Sequence, residues 1–279
     1  MRIRLAFSPD SDDIFMFWAL LSGKIDCEGL VFEAERADTE TLNARAAAGE
    51  LDVIAVSIAR YAAIARDYLL LRHGMSVGRG YGPVVVAPGA RELASLEGAR
   101  IGVPGLRTTA YLVLRLLLPR FEPVVVPISP YARAFSAVRA GEVEAALLIH
   151  EGRLTYEREG FARVCDIGEE WARLTGGLPL PLGGNVIHKK FDPATRRKIS
   201  GILTASIQYS LDHRAEAVQH ALQFARDMGR DLADKFVGMY VNHWTLDYGE
   251  RGRESIRRFL GQAFERGLIP HRQELEFVT

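Results

Sequence analysis

The chain has 279 residues, 48% of them hydrophobic and 25% charged, with 35 Lys plus Arg set against 35 Asp plus Glu. That length can bury the core of one large domain or of two moderate lobes. The even charge balance argues against a nucleic-acid or acidic-membrane partner and leaves small neutral or anionic molecules as ligands.

Ile3 to Phe7 reads as a first strand, and Ser8-Pro9-Asp10-Ser11-Asp12-Asp13 as a turn dense in capping residues ahead of the apolar helix Ile14 to Leu21. Three carboxylates in four positions could suggest magnesium. Acidic residues at a helix start, however, already complement the positive end of its dipole, and one turn supplies too few convergent oxygens, so no metal site is expected. Leu30 to Glu35 is a second strand, and Asp38 through Asn43 opens a helix reaching about Ala48. Leu51 to Ser57 is a strand ending on a serine before the helix Ile58 to Arg66. That serine can cap the helix, meet a ligand, or both. Gly78-Arg79-Gly80-Tyr81-Gly82-Pro83 lacks the Lys-Ser/Thr of a phosphate loop and precedes a strand, which speaks against nucleotide binding. It reads instead as a mobile approach to the strand Val84 to Ala87, with Pro88-Gly89 marking a change of domain.

From Leu93 the pattern starts again. Gly98 to Pro104 is a strand, and Arg107-Thr108-Thr109-Ala110-Tyr111 opens the helix Leu112 to Leu118. The backbone N–H groups at that start, with two threonine hydroxyls, suit a carboxylate or phosphate, or simply cap the helix. Val124 to Val126 is a strand, and Tyr131 to Ala140 a helix ended by Gly141. The run Ala145 to Ile149 is wholly apolar, as in a strand buried on both faces of a parallel sheet, and it breaks abruptly into His150-Glu151. Polar groups at the carboxyl end of such a strand stand where open α/β sheets bind ligands, although a lone histidine there can also be a satisfied strand end. Glu151 can orient His150 or cap the next turn.

Gly183 to Ile187 reads as a strand crossing back between lobes, and Pro193 to Asp212, Arg214 to Met228, Asp231 to Tyr240 and Gly252 to Arg266 read as helices. His188, His213, His220, His243 and His271 are scattered without metal spacing. Cys27 and Cys165 show no ligand spacing either, which points to reduced thiols in the cytoplasm. The N-terminus has no export-type apolar region, and no run is long enough to span a membrane. The expected architecture is α/β, a two-lobed clamp like the type II periplasmic-binding proteins, its lobes joined by two crossing strands. Residues 1–87 and 188–279 form lobe one with the C-terminal helices, 88–187 form lobe two, and Ser57 faces Thr109 and His150 across the cleft.

Several stretches in this order resemble one family: Ser8-Pro9 with Asp13 and Phe15, Glu40-Thr41-Leu42-Asn43, Gly80-Tyr81-Gly82-Pro83, Thr108-Thr109-Ala110-Tyr111, Gly141 to Ala145, Ile149-His150-Glu151, Leu178 to Gly183 and Tyr240-Val241-Asn242. The family is that of the 1,4-dihydroxy-6-naphthoate synthases of menaquinone biosynthesis by the futalosine pathway. The resemblance implies a cytoplasmic carbon-carbon lyase with no cofactor, acting on cyclic de-hypoxanthinyl futalosine, a small-molecule carboxylate. It implies His150 as catalytic base, with Ala55, Val56, Ser57, Thr109 and Ala110 binding substrate, and Thr108, Ser8, Asn43 and Glu151 are further candidates for binding it. Imidazole, with an ordinary pKa of about 6.5, suits proton removal near neutral pH. The first turn departs from the family's Ser-Pro-Cys-Pro-Asn-Asp, and Ala55 stands where some members carry lysine. A chorismate dehydratase on the same scaffold, and a solute-binding protein for small anions, are the alternative readings.

Overall fold

The structure, a computed structural model, describes residues 1–127, 132–150, 152–224 and 230–278, and two sheets organise them. The first half of the chain builds β1 (Arg2–Phe7), α1 (Ser11–Leu21), β2 (Val31–Arg36), α2 (Thr39–Ala46), β3 (Val53–Ser57), α3 (Ile58–Ile64), β4 (Tyr68–Leu70) and β5 (Ser76–Gly78). There follow β6 (Val84–Ala87), β7 (Arg100–Val103), α4 (Thr109–Leu117), β8 (Glu122–Val125), α5 (Ala132–Arg139), β9 (Ala145–Leu148), α6 (Gly152–Thr155), β10 (Ala162–Asp166) and α7 (Ile167–Thr175). The chain closes with β11 (Leu180–His188), α8 (Pro193–Asp212), α9 (Arg214–Ala221), α10 (Arg230–Tyr240), α11 (His243–Leu246) and α12 (Gly249–Glu265). The helices expected to start at Tyr131 and to run on to Met228 reach, at those ends, outside the described residues.

The first sheet has the order β2-β1-β3-β11-β4, with β5 also on β11, and the second β10-β6-β9-β7-β8. Each sheet is mixed. β1 pairs in parallel with β2 and β3, and β7 with β8 and β9, while β11 and β6 run antiparallel to their neighbours. The strand before His150 is therefore fully buried as its apolar run requires, but in a mixed sheet, because β6 enters the second lobe from the first and runs against β9.

Sheet membership also moves the two passages between lobes. Val84 to Ala87, grouped with lobe one in the sequence reading, pair with β9 and β10 of the second sheet, and Leu180 to Ile187, grouped with lobe two, pair within the first. The chain thus crosses in the short segments 79–83 and 176–179. The glycines of the first passage serve close packing: Gly82 abuts Gly168, and a Cβ on Gly168 would overlap the carbonyl of Tyr81.

Three apolar clusters form the core. Outside the first sheet, α1 is buried along Ser11 to Leu20 because α8 and α9 cover the face that the sheet does not. Phe7 meets Phe17 at 4.6 Å between ring centres, and the Ser206 hydroxyl donates to Met16 O at 2.8 Å, which pins α8 to α1. A smaller cluster under the second sheet gathers Val84, Val86, Phe135, Leu148 and Phe161. The third belongs to both lobes: Tyr61, Val77 and Phe259 share it with Val85, Ile101, Val113 and Trp171. Trp171 donates its indole N–H to Pro179 O at 3.2 Å, anchoring α7 where the chain crosses back.

Candidate active site

A cleft open to solvent lies where the ends of β1, β3 and β9 meet the start of α4 and the strand β11. His150 follows β9 by two residues and lines it. Its backbone is left-handed, φ 51°, a region that costs a residue with a Cβ about 1–2 kcal/mol. The turn after it is clamped by Arg153, whose guanidinium donates to Gly82 O at 2.7 Å and to Asp166 Oδ2 at 2.9 Å. Asp166 in turn caps α7, accepting from Gly168 N and Glu169 N. Glu151, the other polar residue of the motif, lies outside the described residues.

Nδ1 of His150 stands 3.0 Å from Oδ2 of Asp10. Asp10 occupies the cap position of α1, where its carbonyl accepts from Ile14 N at 3.0 Å, but its side chain does not cap the helix. Asp10, Asp12 and Asp13 are all buried. Burial, followed by the neighbouring Asp10 carboxyl, pushes the Asp12 pKa upward against the pull of His150 and of the Ser76 hydroxyl, which donates at 2.9 Å. Burial and then Asp12 do the same to Asp13, against a hydrogen bond from Ser8 N at 2.8 Å. The cleft thus gathers a histidine, the Asp10 carboxyl beside it, and two further carboxyl groups whose pKa values burial pushes upward. Among the described residues no group of three or more His, Cys, Asp or Glu side chains is arranged to hold a metal ion.

Ser57, which also lines the cleft, makes no side-chain cap to α3. Asn43 holds it instead: Asn43 Nδ2 donates to Ser57 Oγ at 3.0 Å, and Ser57 N donates to Asn43 Oδ1 at 2.9 Å. Asn43 also donates to Arg107 O at 3.3 Å, and it stands behind Ser57 rather than on the cleft wall. Thr108 caps α4, accepting from Tyr111 N at 3.2 Å and donating to Gly105 O at 2.9 Å. The Thr109 hydroxyl donates to Leu182 O at 2.6 Å and accepts from Ala59 N at 3.1 Å, a bolt between the lobes. Both threonine hydroxyls are thereby committed to the protein. What this turn offers an anion is its backbone N–H groups at Thr109 and Ala110, which have no acceptor within the helix. The lobes are latched again by Arg107, which pairs with Glu40 at 2.7 Å.

Ser8, Ala55, Val56, Ser57, Thr108, Thr109, Ala110 and His150 all line the cleft. The sequence reading overlooked Asp10 and Ser76 as well as Asn185, Phe236 and Tyr240. Asn185 is 1% exposed, and neither end of its carboxamide has a hydrogen-bond partner among the described residues. Phe236 and Tyr240, one turn apart on α10, close the apolar side, with ring centres 4.9 Å apart. Burial pushes the Tyr240 phenol far up, so it stays protonated. Their spacing of four was the available signal, because it puts both rings on one face of a helix.

Comparison with known proteins fits this geometry. A family model described as menaquinone biosynthesis matches residues 3–265. A Thermus thermophilus protein named 1,4-dihydroxy-6-naphtoate synthase is 40% identical over 266 residues, 95% of either chain, and a Streptomyces coelicolor protein of the same name is 35% identical over 271 residues, 96% of this chain and 95% of that one. A solved structure from Archaeoglobus fulgidus superposes with a TM-score of 0.91 at 40% identity, covering 96% of this chain and 98% of that one. The alkanesulfonate-binding protein SsuA of Xanthomonas axonopodis pv. citri, solved with bound MOPS, gives 0.71 at 13% identity over 97% and 95%, a likeness of fold alone. The match along nearly the whole chain, on the two-lobed fold of the periplasmic-binding proteins, shows that the chain belongs to the menaquinone-biosynthesis family.

Proposed function

We propose that the protein is a carbon-carbon lyase that converts cyclic de-hypoxanthinyl futalosine to 1,4-dihydroxy-6-naphthoate, with His150 as general base in the interlobe cleft. The observation that carries the reading is His150 itself, a histidine lining the same cleft as Ser57 and the start of α4. The names of the two curated relatives support the same reaction. Breaking a bond beside a carbonyl in a hydroxylated ring requires a proton to leave a hydroxyl, which an imidazole accepts near neutral pH. Aromatisation of the product provides the drive, so the protein has mainly to orient the substrate and move protons. The substrate carboxylate fits the backbone N–H groups at Thr109 and Ala110 together with the Ser57 hydroxyl, and its rings fit against Phe236 and Tyr240. No cofactor enters this scheme, and the location that goes with it is the cytoplasm. No helix among the described residues is long and apolar enough to cross a membrane.

The test is incubation of purified protein with cyclic de-hypoxanthinyl futalosine and detection of the naphthoate by mass spectrometry, with chorismate in a parallel assay. Turnover of the first substrate, reduced by about 10²- to 10⁴-fold in His150→Gln, is the expected result. Folded wild type that makes no naphthoate refutes the proposal, and turnover of chorismate would reassign the reaction to a dehydration.

A further inference from the structure

Asp10 begins α1 with the extended backbone of a cap residue, φ −75° and ψ 152°, yet its side chain leaves the helix uncapped. The carboxylate turns to His150 Nδ1, at 3.0 Å, with 8% of the Asp10 side chain and 21% of the His150 side chain exposed. His150 meets it from a left-handed backbone. An idle cap and a strained residue each cost stability, and they converge on one contact; strain retained in that way gathers where function requires it.

We propose that Asp10 is the positioning residue of His150, holding the imidazole proton on Nδ1 so that Nε2 is the atom that accepts a proton from the substrate. The inference rests on the reading of His150 as the base. In the step it serves, the O–H bond of a substrate hydroxyl breaks and an Nε2–H bond forms. The ring passes from neutral to cationic, and its new charge faces the Asp10 carboxylate. No electron leaves or enters. The ring and its orienting carboxylate come from different lobes, His150 from the end of β9 and Asp10 from the turn after β1, so neither lobe holds the complete base. Among the described residues Asp12 is a second titratable group that acts on the ring, Asp13 lines the same cleft, and burial pushes the pKa of both upward. From α10, the protonated Tyr240 phenol lines the same cleft. Asp10 is the carboxylate within hydrogen-bond distance of Nδ1.

Asp10→Asn keeps the shape but offers an N–H as readily as an oxygen, Asp10→Ala removes the contact, and Asp10→Glu restores a carboxylate. Each is checked for folding by circular dichroism, then followed by kcat and KM on cyclic de-hypoxanthinyl futalosine from pH 5 to 9. The imidazole tautomer is read by nitrogen-15 NMR of histidine-labelled protein, with His150→Gln identifying the resonance. The expected result for Asp10→Asn is a fall in kcat of about 10²- to 10⁴-fold, KM within about threefold, and an acid limb of kcat/KM moved to lower pH, because the cationic ring has lost its partner. NMR should show Nδ1–H in wild type and a changed tautomer in the Asn and Ala variants, with partial recovery in Asp10→Glu. A role in packing alone would lower activity without moving the limb or the tautomer, and that result overturns the proposal, as does a kcat within about twofold of wild type. If wild type does not turn the substrate over, the proposed reaction fails and the NMR arm alone decides on Asp10. If His150→Gln is inactive while Asp10→Asn is not, only the role of Asp10 falls.

Discussion

Replacing Asn43 by alanine removes the carboxamide that holds Ser57 in place. Three hydrogen bonds disappear, to Ser57 Oγ at 3.0 Å, from Ser57 N at 2.9 Å and to Arg107 O at 3.3 Å, all at a residue with no exposed surface. Each bond contributes about 0.5–1.5 kcal/mol net, and the Ser57 N–H and the Arg107 carbonyl are left without this partner, so the expected loss is about 3–4 kcal/mol. With an entropy of unfolding near 2.1 cal/mol/K per residue, a chain of 279 residues loses about 5–7 °C in Tm. Scanning calorimetry of wild type, Asn43→Ala, Ser57→Ala and the double variant measures both the loss and the coupling. Ser57→Ala keeps the backbone bond and should cost about 1 kcal/mol, and the double variant should lie about 1 kcal/mol short of additivity. KM should rise more than kcat falls, because the serine is mis-aimed and the base is untouched. A Tm within 2 °C of wild type, or strict additivity, would refute the reasoning that Asn43 acts through Ser57.

Acid should weaken the fold through His73, whose pKa burial lowers to about 4 from 6.5 and whose Nε2 lies 2.9 Å from Ser200 Oγ. Only the neutral ring is accommodated, so the unfolded chain takes the proton first. Stability is intact above about pH 6.5 and should fall by about 3 kcal/mol between there and pH 4. Urea melts at pH 7 and 4.5 should show that slope reduced in His73→Leu. Arg153→Ala leaves Asp166, with a side chain 1% exposed, without its cation; a loss of about 3–5 kcal/mol is expected, together with a drop in kcat as the turn after His150 loosens. Thermal melts that coincide with wild type would contradict the clamp. Gly168→Ala drives a Cβ into the Tyr81 carbonyl and should cost at least about 3 kcal/mol, whereas Gly201→Ala, in mid α8 with nothing within 4 Å, should gain about 0.5–1 kcal/mol. Equal melting temperatures for these two variants would refute that contrast.

The apolar runs carried most of the fold into view. Val84–Ala87 and Ala145–Leu148 are wholly apolar because both faces are buried, while β1 keeps Arg2 and Arg4 exposed at its start and is buried from Leu5 to Phe7. The short strands β4, β5 and β10 were harder to read, since three to five residues give no period, and their pairing with β11 and β6 is set by distant chain. Hydrogen-bond partnership was the least legible feature. Ser57 and Asp10 both stand where helix caps belong, and local sequence offers no sign that Asn43 and His150 have claimed their side chains. The Asp-rich turn was visible as an oddity, but its reason lies 140 residues away, on the other lobe.

The core that Tyr61 and Phe259 share with Val85 and Trp171 limits what this scaffold can do mechanically. A receptor that passes cargo on must swing wide. Here every 100 Å² of shared apolar surface pulled apart costs about 2.5 kcal/mol, and a micromolar ligand has only about 8 kcal/mol to spend on everything it does. Opening about 300 Å² of such surface would use nearly all of that. Any movement of one lobe against the other has first to open this shared surface, which makes the core itself the hinge's counterweight.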